Sequence, residues 1–166
     1  TLNLLNTILG GGPSSRLFND LREQQKLAYA VHSGISFTDD IGTIALKIKT
    51  TTENKELGEI SYENLQKALE GFKKHIEKLK TEKVTEDELQ NAKLSLKNSI
   101  LGLNETNKGK NVSLEYGLIS PYGLNQANLT LSLIDSITAD DIYNAANYVF
   151  TQKPLYSILA TENTLN

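Results

Sequence analysis

Residues 9–33 read LGGGPSSRLFNDLREQQKLAYAVHS, and within them the spacing of apolar residues changes from the period of a helix to that of a strand. Just before this stretch, apolar residues predict a helix over Leu2–Leu9 that ends at the glycines 10–12. These glycines lack the Lys-Ser/Thr pair that would follow in a nucleotide-binding loop. A second helix is predicted to begin near Pro13 and to end by Gln25, with an apolar face formed by Leu17, Phe18 and Leu21.

The second half of the stretch predicts a strand. Odd-numbered apolar residues alternate with small or polar ones from Leu27 to Phe37, so one face is expected to be buried. Tyr29 lies on that face, where packing in the core with the hydroxyl at the rim is the ordinary arrangement. A polar turn at 38–42 is followed by alternating apolar residues from Ile44 to Ile48, so the two strands are predicted to form a hairpin.

The remainder of the sequence is mostly helical. Apolar residues at helical spacing between Leu57 and Leu79 predict one long helix. Thr85 and Glu88 form a capping box for the next helix, whose inner face ends at Leu103. Further elements are predicted as helices over 114–119 and 126–136, a helix capped by Thr138 that ends near Val149, and a final strand over Leu155–Ala160. This order predicts an α+β fold in which an antiparallel or mixed sheet packs against several helices.

Length and composition limit the possible functions. A chain of 166 residues, of which 39% are hydrophobic, predicts one domain over 1–166. The net charge of −3 provides no basic patch, so no nucleic-acid partner is expected. The longest uncharged run, 116–134, contains Pro121 and several polar residues, so no membrane span is expected either. Methionine is absent, so we expect Thr1 to be an internal residue of a chain truncated at its N-terminus, with further strands upstream.

Residues that commonly perform catalysis or bind metals give no site of their own. The two histidines, His32 and His75, are 43 positions apart, and neither has a second histidine one turn away. A catalytic zinc site normally has three protein ligands, so no metal is predicted in this chain. Ser14 and Ser15 lie outside a G-x-S-x-G elbow and are interpreted as helix caps. The helix dipole explains the carboxylates at 82–88, and no catalytic residue is predicted.

The two arginines are more informative. Of seventeen cationic residues only Arg16 and Arg22 are arginines, and both lie in one short helix. Arginine provides a planar, permanently charged fork that lysine lacks. For Arg22 a functional and a structural role are equally supported, because a cation near a helix C-terminus gains about 0.3–1 kcal/mol; for Arg16 a structural role is favoured. Arg22 and Tyr29 flank one tight turn, which would bring their polar groups to one end of the sheet.

Four matching elements within this stretch together resemble the insulinase-like (pitrilysin) zinc peptidases, the inverted-zincin family. They are the glycine run, Ser15-Arg16-Leu17-Phe18, Leu21-Arg22-Glu23 and Leu27-Ala28-Tyr29. Catalytic units of that family pair a domain carrying H-x-x-E-H with a second domain of the same fold that has no zinc ligands. Arg22 and Tyr29 match an arginine and a tyrosine, seven positions apart, that the second domain contributes. Where the family often has Arg-Gly before Leu-Ala-Tyr, this chain has Gln25-Lys26.

The resemblance implies that residues 1–166 are the C-terminal, non-zinc domain of a zinc metalloendopeptidase. It assigns Arg22 and Tyr29 to substrate binding and transition-state support, and it places zinc in an H-x-x-E-H domain of the same chain or of a partner subunit. The expected substrate is a peptide, and the isolated chain is expected to be inert. The alternative is a non-catalytic scaffold or partner subunit of the same family. A dimer is left open, and the lack of cysteine fits a cytoplasmic bacterial protein.

Overall fold

The computed structural model describes residues 1–37, 41–54, 59–103, 105–119 and 123–160. Within these ranges the α-helices are α1 (Leu2–Gly10), α2 (Glu63–Thr81), α3 (Glu86–Leu103), α4 (Asn107–Ile119), α5 (Gln126–Ile134) and α6 (Ala139–Val149). The strands are β1 (Ala28–Phe37), β2 (Gly42–Thr50), β3 (Glu53–Asn54) and β4 (Glu59–Ile60). A π-helix covers Phe18–Gln24, and a 3₁₀ turn covers Gly123–Asn125.

The predicted hairpin is confirmed. β1 pairs with β2 in an antiparallel register from Ala28 opposite Thr50 to Phe37 opposite Gly42. Most of the turn predicted at 38–42 lies outside the described residues. A second antiparallel pair joins the two-residue strands β3 and β4. The α+β class is therefore confirmed, with the antiparallel form of the sheet in the described ranges.

One hydrophobic core joins the N-terminal elements to three later helices. Helix α1 packs against β1, α3 and α6, while α2 packs against α6 and the hairpin. The core residues include Leu4, Leu5, Leu9, Leu17, Leu21, Leu79, Leu89 and Ile142, each at most 2% exposed. Full burial of a leucine side chain contributes about 1.5–3 kcal/mol, so this cluster is the main source of stability for the elements around the π-helix.

Gly10 is the last residue of α1 and lies directly against β1. A Cβ atom at this position would lie 2.6 Å from the amide nitrogen of Ser33, closer than van der Waals contact allows. The Ser33 hydroxyl donates a hydrogen bond to Oδ1 of Asn6 at 2.7 Å, which joins the same two elements. Glycine at this point therefore permits the close approach of a helix end to a strand, in addition to ending the helix as predicted.

Several predicted boundaries were wrong. The strand predicted over 155–160 is absent, because no described strand pairs with this segment, and Leu155 is 95% exposed. Helix α2 begins at Glu63, since Ile60 belongs to β4 and pairs with Glu53; Leu57 lies outside the described residues. Leu103, predicted on the inner face of α3, is 47% exposed. Helix α4 is longer than predicted, beginning at 107, and α5 ends two residues early, at 134.

The capping prediction at Thr138 is confirmed. Its hydroxyl accepts a hydrogen bond from the Asp141 amide at 3.2 Å, and the Asp141 carboxylate accepts one from the Thr138 amide at 2.8 Å. This reciprocal pair fixes the start of α6, which buries Ile142 and Ala146 in the core. Among the helices in the described ranges, none is long and apolar enough to cross a membrane.

Candidate functional site

The π-helix carries Arg22 and ends in a tight turn. The backbone hydrogen bonds at its end span more residues than those of an α-helix. The Gln25 amide donates to the Asp20 carbonyl and the Leu27 amide donates to the Leu21 carbonyl, both at 2.9 Å. The predicted helix is thus present, but its hydrogen bonding is of the π type, which is rare and is frequently found at functional sites.

The predicted serine cap of this helix is wrong for Ser15. Its hydroxyl is buried and has no hydrogen-bond partner among the described residues, while its backbone carbonyl accepts from the Asn19 amide at 3.0 Å. The side chain is only 1% exposed, so it fills space in the interior and does not bond the first helical amides. The other serine, Ser14, accepts a bond from the Asn19 side chain through its carbonyl.

Lys26 occupies a backbone conformation that favours glycine. Its φ is +54°, and it is the one non-glycine residue in the described ranges with a positive φ. For an L-residue this left-handed region costs roughly 1–2 kcal/mol. The insulinase-like sequences that this stretch resembles often have glycine at this position, where this chain has lysine. The turn therefore carries a conformational cost that glycine would not incur.

Tyr29 lies on the outside of the sheet, so its predicted burial was wrong. The pairing of β1 with β2 shifts between Ala28 and Ala30, which is the signature of a β-bulge around Tyr29. The bulge interrupts the predicted alternation at this point, so that Ala28 is buried and Tyr29 is 84% exposed. Beyond the bulge, Val31 returns to the buried face.

The turn brings Arg22 and Tyr29 together, as the sequence predicted for residues flanking it. The guanidinium carbon of Arg22 lies 5.5 Å from the centre of the Tyr29 ring and 4.6 Å from that of Phe18. Both distances fall within the range of cation–π attraction, which contributes about 0.5–1 kcal/mol at exposed sites. Glu23 makes a loose ion pair with Arg22 at 3.6 Å. Two aromatic rings thus hold a guanidinium whose side chain is 38% exposed.

Arg16 has a different environment. Its Nε and Nη2 atoms donate to the two carboxylate oxygens of Glu88, each at 2.7 Å, in a bidentate pair that joins the start of the π-helix segment to α3. The Glu88 amide donates to the Thr85 hydroxyl at 3.2 Å, so one half of the predicted capping box is present. The Glu88 carboxylate, which would complete the box, pairs with Arg16. The structural interpretation of Arg16 is therefore supported.

The structure also shows a buried polar cluster that the sequence did not predict. The Asp20 carboxylate accepts from Nζ of Lys74 at 2.8 Å, from Nε2 of His75 at 2.7 Å and from Nε2 of Gln25 at 2.6 Å. A signal was present in the sequence, because His75 follows Phe72 by three residues within the apolar stripe of α2. A histidine at such a position is buried and needs a partner.

Burial and hydrogen bonding act on this cluster in opposite directions. Burial favours the neutral acid at Asp20, but the bonds from Gln25, Lys74 and His75 and the charge of Lys74 outweigh it and lower the pKa of Asp20 to about 2. For His75, burial is the larger influence and lowers its pKa, although Asp20 opposes the shift. The pair is therefore an ionised carboxylate and a neutral imidazole at pH 7, with Nε2 of His75 donating.

Residues 1–96 match the family model for the peptidase M16 inactive domain. The chain belongs to the peptidase M16 family. The chain is 37% identical over 150 residues to an uncharacterized zinc protease of Rickettsia felis, a match that covers 89% of this chain and 33% of that protein. It is 36% identical over 107 residues to the uncharacterized zinc protease YmxG of Bacillus subtilis, covering 64% of this chain and 24% of that protein. The chain spans about a third or less of these relatives' length.

Solved structures share the fold of this M16 domain. The peptidase M16 inactive domain from Pseudomonas fluorescens superposes with a TM-score of 0.65 at 23% identity, covering 88% of this chain and 32% of that one. The periplasmic protease PqqL from Escherichia coli superposes with a TM-score of 0.62 at 20% identity, covering 90% of this chain and 15% of that one. At these identities the likeness concerns the fold.

Zinc does not fit the described residues of the M16 domain. Among them no group of three or more His, Asp or Glu side chains could hold a metal ion, and the sequence has no cysteine. His32 is exposed on β1, and the Nε2 atom of His75 is engaged by Asp20. What this site offers is a set of hydrogen-bond donors, the guanidinium of Arg22 and the phenol of Tyr29, at one exposed turn.

Proposed function

We propose that residues 1–166 form the substrate-binding domain that completes the active site of a zinc-dependent metalloendopeptidase hydrolysing peptides. The observation that supports this most strongly is the pairing of Arg22 with Tyr29. Both groups lie at an exposed turn, 5.5 Å from guanidinium carbon to ring centre. A left-handed Lys26 and a β-bulge, each of which carries a cost in regular structure, produce that pairing.

The chemistry of peptide hydrolysis needs such donors. Negative charge develops on the carbonyl oxygen of the bond that is cleaved, and preorganised N–H and O–H groups stabilise it. Arg22 has five N–H donors, and its ion pair with Glu23, at 3.6 Å, is longer than a hydrogen bond. The rings of Phe18 and Tyr29 restrain the guanidinium before substrate arrives, so less orientational freedom is lost on binding. The Tyr29 hydroxyl makes no hydrogen bond to the described residues and is available to a ligand.

The remaining components belong to another domain. We place the zinc, which supplies an activated water, in an H-x-x-E-H domain of the same chain or of a partner subunit. Two observations support this placement: relatives carry the name zinc protease, and this chain corresponds to about a third of their length. The absence of cysteine supports a cytoplasmic location, whereas PqqL is periplasmic by name, so fractionation of the native cell is the deciding experiment.

The experiment is the Arg22→Ala substitution in the full-length protein. Loss of a transition-state donor is expected to lower kcat/KM for an unstructured peptide by roughly 10²–10³. The matched control is Arg16→Lys, which changes the only other arginine and leaves the Arg22 turn untouched; its kcat/KM should stay within about threefold of wild type, since Arg16 pairs with Glu88 away from Tyr29. Equal cleavage by wild type and Arg22→Ala would contradict the proposal and favour the scaffold.

A further inference from the structure

We infer that Asp20 is a positioning residue for Arg22, holding the π-helix and the turn after it in the arrangement that places the guanidinium beside Tyr29. The inference rests on the proposed function of Arg22. Asp20 and Arg22 are two residues apart in the π-helix, yet their side chains differ in exposure, 10% for Asp20 and 38% for Arg22. The buried carboxylate bonds to α2, while the arginine lies at the exposed turn.

The three donors reach Asp20 from two directions. Lys74 and His75 belong to α2, and their bonds hold this face of the π-helix to a long, well-packed helix. Gln25 belongs to the turn, and its side chain bonds to Oδ1 at 2.6 Å. Gln25 immediately precedes Lys26, whose left-handed conformation reverses the chain toward Tyr29. One carboxylate therefore connects α2, the π-helix and the turn.

Attachment of the π-helix to α2 does not depend on Asp20. Leu21 is fully buried against Gly71 of α2, at a point where a Cβ atom on the glycine would meet a Leu21 methyl group. This contact keeps the helix docked when the carboxylate is changed. The polar cluster also leaves Nδ1 of His75 buried with no partner among the described residues. The cluster is thus incompletely satisfied, while its three bonds to Asp20 connect α2 and the turn to the π-helix.

The first test measures geometry and does not need activity. In the full-length protein labelled with ¹³C in its tyrosine rings, Tyr29→Phe identifies the Tyr29 signal, and Arg22→Ala shows how far it moves when the guanidinium is lost. Asp20→Asn is expected to move the signal in the same direction. Gln25→Ala, which removes one exposed donor and leaves the α2 bonds intact, should do so to a smaller extent. Asp135→Asn, which breaks an exposed ion pair with Lys97, is the control and should not move it. A Tyr29 signal that responds to Arg22→Ala but to neither Asp20→Asn nor Gln25→Ala would overturn the inference.

The second test measures peptide cleavage in a double-mutant cycle. Asp20→Asn is expected to lower kcat/KM by up to roughly a hundredfold when Arg22 is present, because a small displacement of a group that acts on the substrate is enough to cause such a loss. In the Arg22→Ala background it should produce no further loss, because there is no guanidinium left to position. Independent, multiplicative losses would overturn the inference. Wild type and Arg22→Ala cleaving equally would instead contradict the proposed function, and the Tyr29 signal would still decide whether Asp20 positions Arg22.

Discussion

The two ends of α3 lie in regions that are packed very differently. At the N-terminal end, Leu89 and Ala92 are 2% and 5% exposed and belong to the core formed with α1. Toward the other end, Leu101 is 53% exposed, and Leu118 of the following helix α4 is 77% exposed. We call these the Arg22 region (residues 1–37 and 71–92) and the α4–α5 region (residues 94–103, 105–119 and 123–134).

The difference shows what a site of exposed donors requires. In the Arg22 region, buried leucines are combined with specific polar pairs, Arg16 with Glu88 and Asp20 with His75. Apolar burial stabilises the region as a whole, and the directional bonds determine where individual side chains lie. In the α4–α5 region the polar contacts of the described residues are mostly local and exposed. The long-range pair there joins Lys97 to Asp135, whose side chain is 68% exposed. Arg22 and Tyr29 therefore belong to the region in which buried, directional bonds orient individual side chains.

The largest expected effect comes from equal truncations in the two regions. Leu9→Ala should destabilise the Arg22 region by about 2–5 kcal/mol, because Leu9 is fully buried and its removal leaves a cavity. Leu118→Ala should change stability by no more than about 0.5 kcal/mol. Hydrogen exchange of β1 amides in the full-length protein measures both. Similar losses for the two variants would show that the regions are not packed as differently as described.

Acidification should weaken the Arg22 region before it affects surface ion pairs. The folded-state pKa of Asp20 is lowered to about 2 from 3.8, so its contribution of about 2 kcal/mol is complete above pH 3.8 and lost as pH falls toward 2. The pKa of His75 is also lowered, so stability begins to fall below pH 6.5, where the unfolded histidine binds a proton first. Unfolding measured from pH 7 to about 2 should show this decline.

Two matched Asp→Asn changes, one as the test and one as the control, check the acid effect. Asp20→Asn should flatten the pH dependence below pH 4. Asp135→Asn should leave it almost unchanged, because Asp135 is 68% exposed in its pair with Lys97 and exposed pairs contribute little. An identical pH profile for wild type and Asp20→Asn would contradict the assignment.

The smallest expected effect concerns two left-handed residues, one in each region. Lys26→Gly should stabilise the protein by about 0.5–1 kcal/mol, since glycine adopts a φ of +54° without the steric cost. Gly123 has a φ of +62° in the α4–α5 region, so Gly123→Ala should destabilise by about 1 kcal/mol. Chemical denaturation followed by hydrogen exchange measures the change in the free energy of unfolding for both variants. Destabilisation by Lys26→Gly would mean that the lysine side chain has a favourable role.

Local periodicity predicted most of the elements correctly. The spacing of apolar residues indicated α1, the β1–β2 hairpin and the helices from α2 to α6, because each buries one face and its pattern follows the geometry of that face. Boundaries were missed where pairing partners decide them. Ile60 fits a helical stripe but pairs with Glu53, and residues 155–160 alternate like a strand but meet no partner in the described chain.

The sequence predicted which two residues of the candidate site lie close together, but it did not predict their geometry. The proximity of Arg22 to Tyr29 followed from a tight turn between a helix and a strand. The side of the sheet on which Tyr29 lies did not follow, because a bulge at this residue interrupts an alternation that looks regular in the sequence. The bond between Asp20 and His75 joins residues 55 positions apart, and no local pattern encodes such a contact.

The central claim, that Arg22 and Tyr29 act on a peptide substrate, is tested most directly by Tyr29→Phe in the full-length protein. The change removes one hydroxyl from a side chain that is 84% exposed and keeps the ring beside Arg22. A purely structural role predicts no effect, since the hydroxyl bonds to none of the described residues. The account predicts that kcat/KM for peptide cleavage falls roughly 10²-fold while the melting temperature is unchanged. Cleavage at the wild-type rate would contradict it.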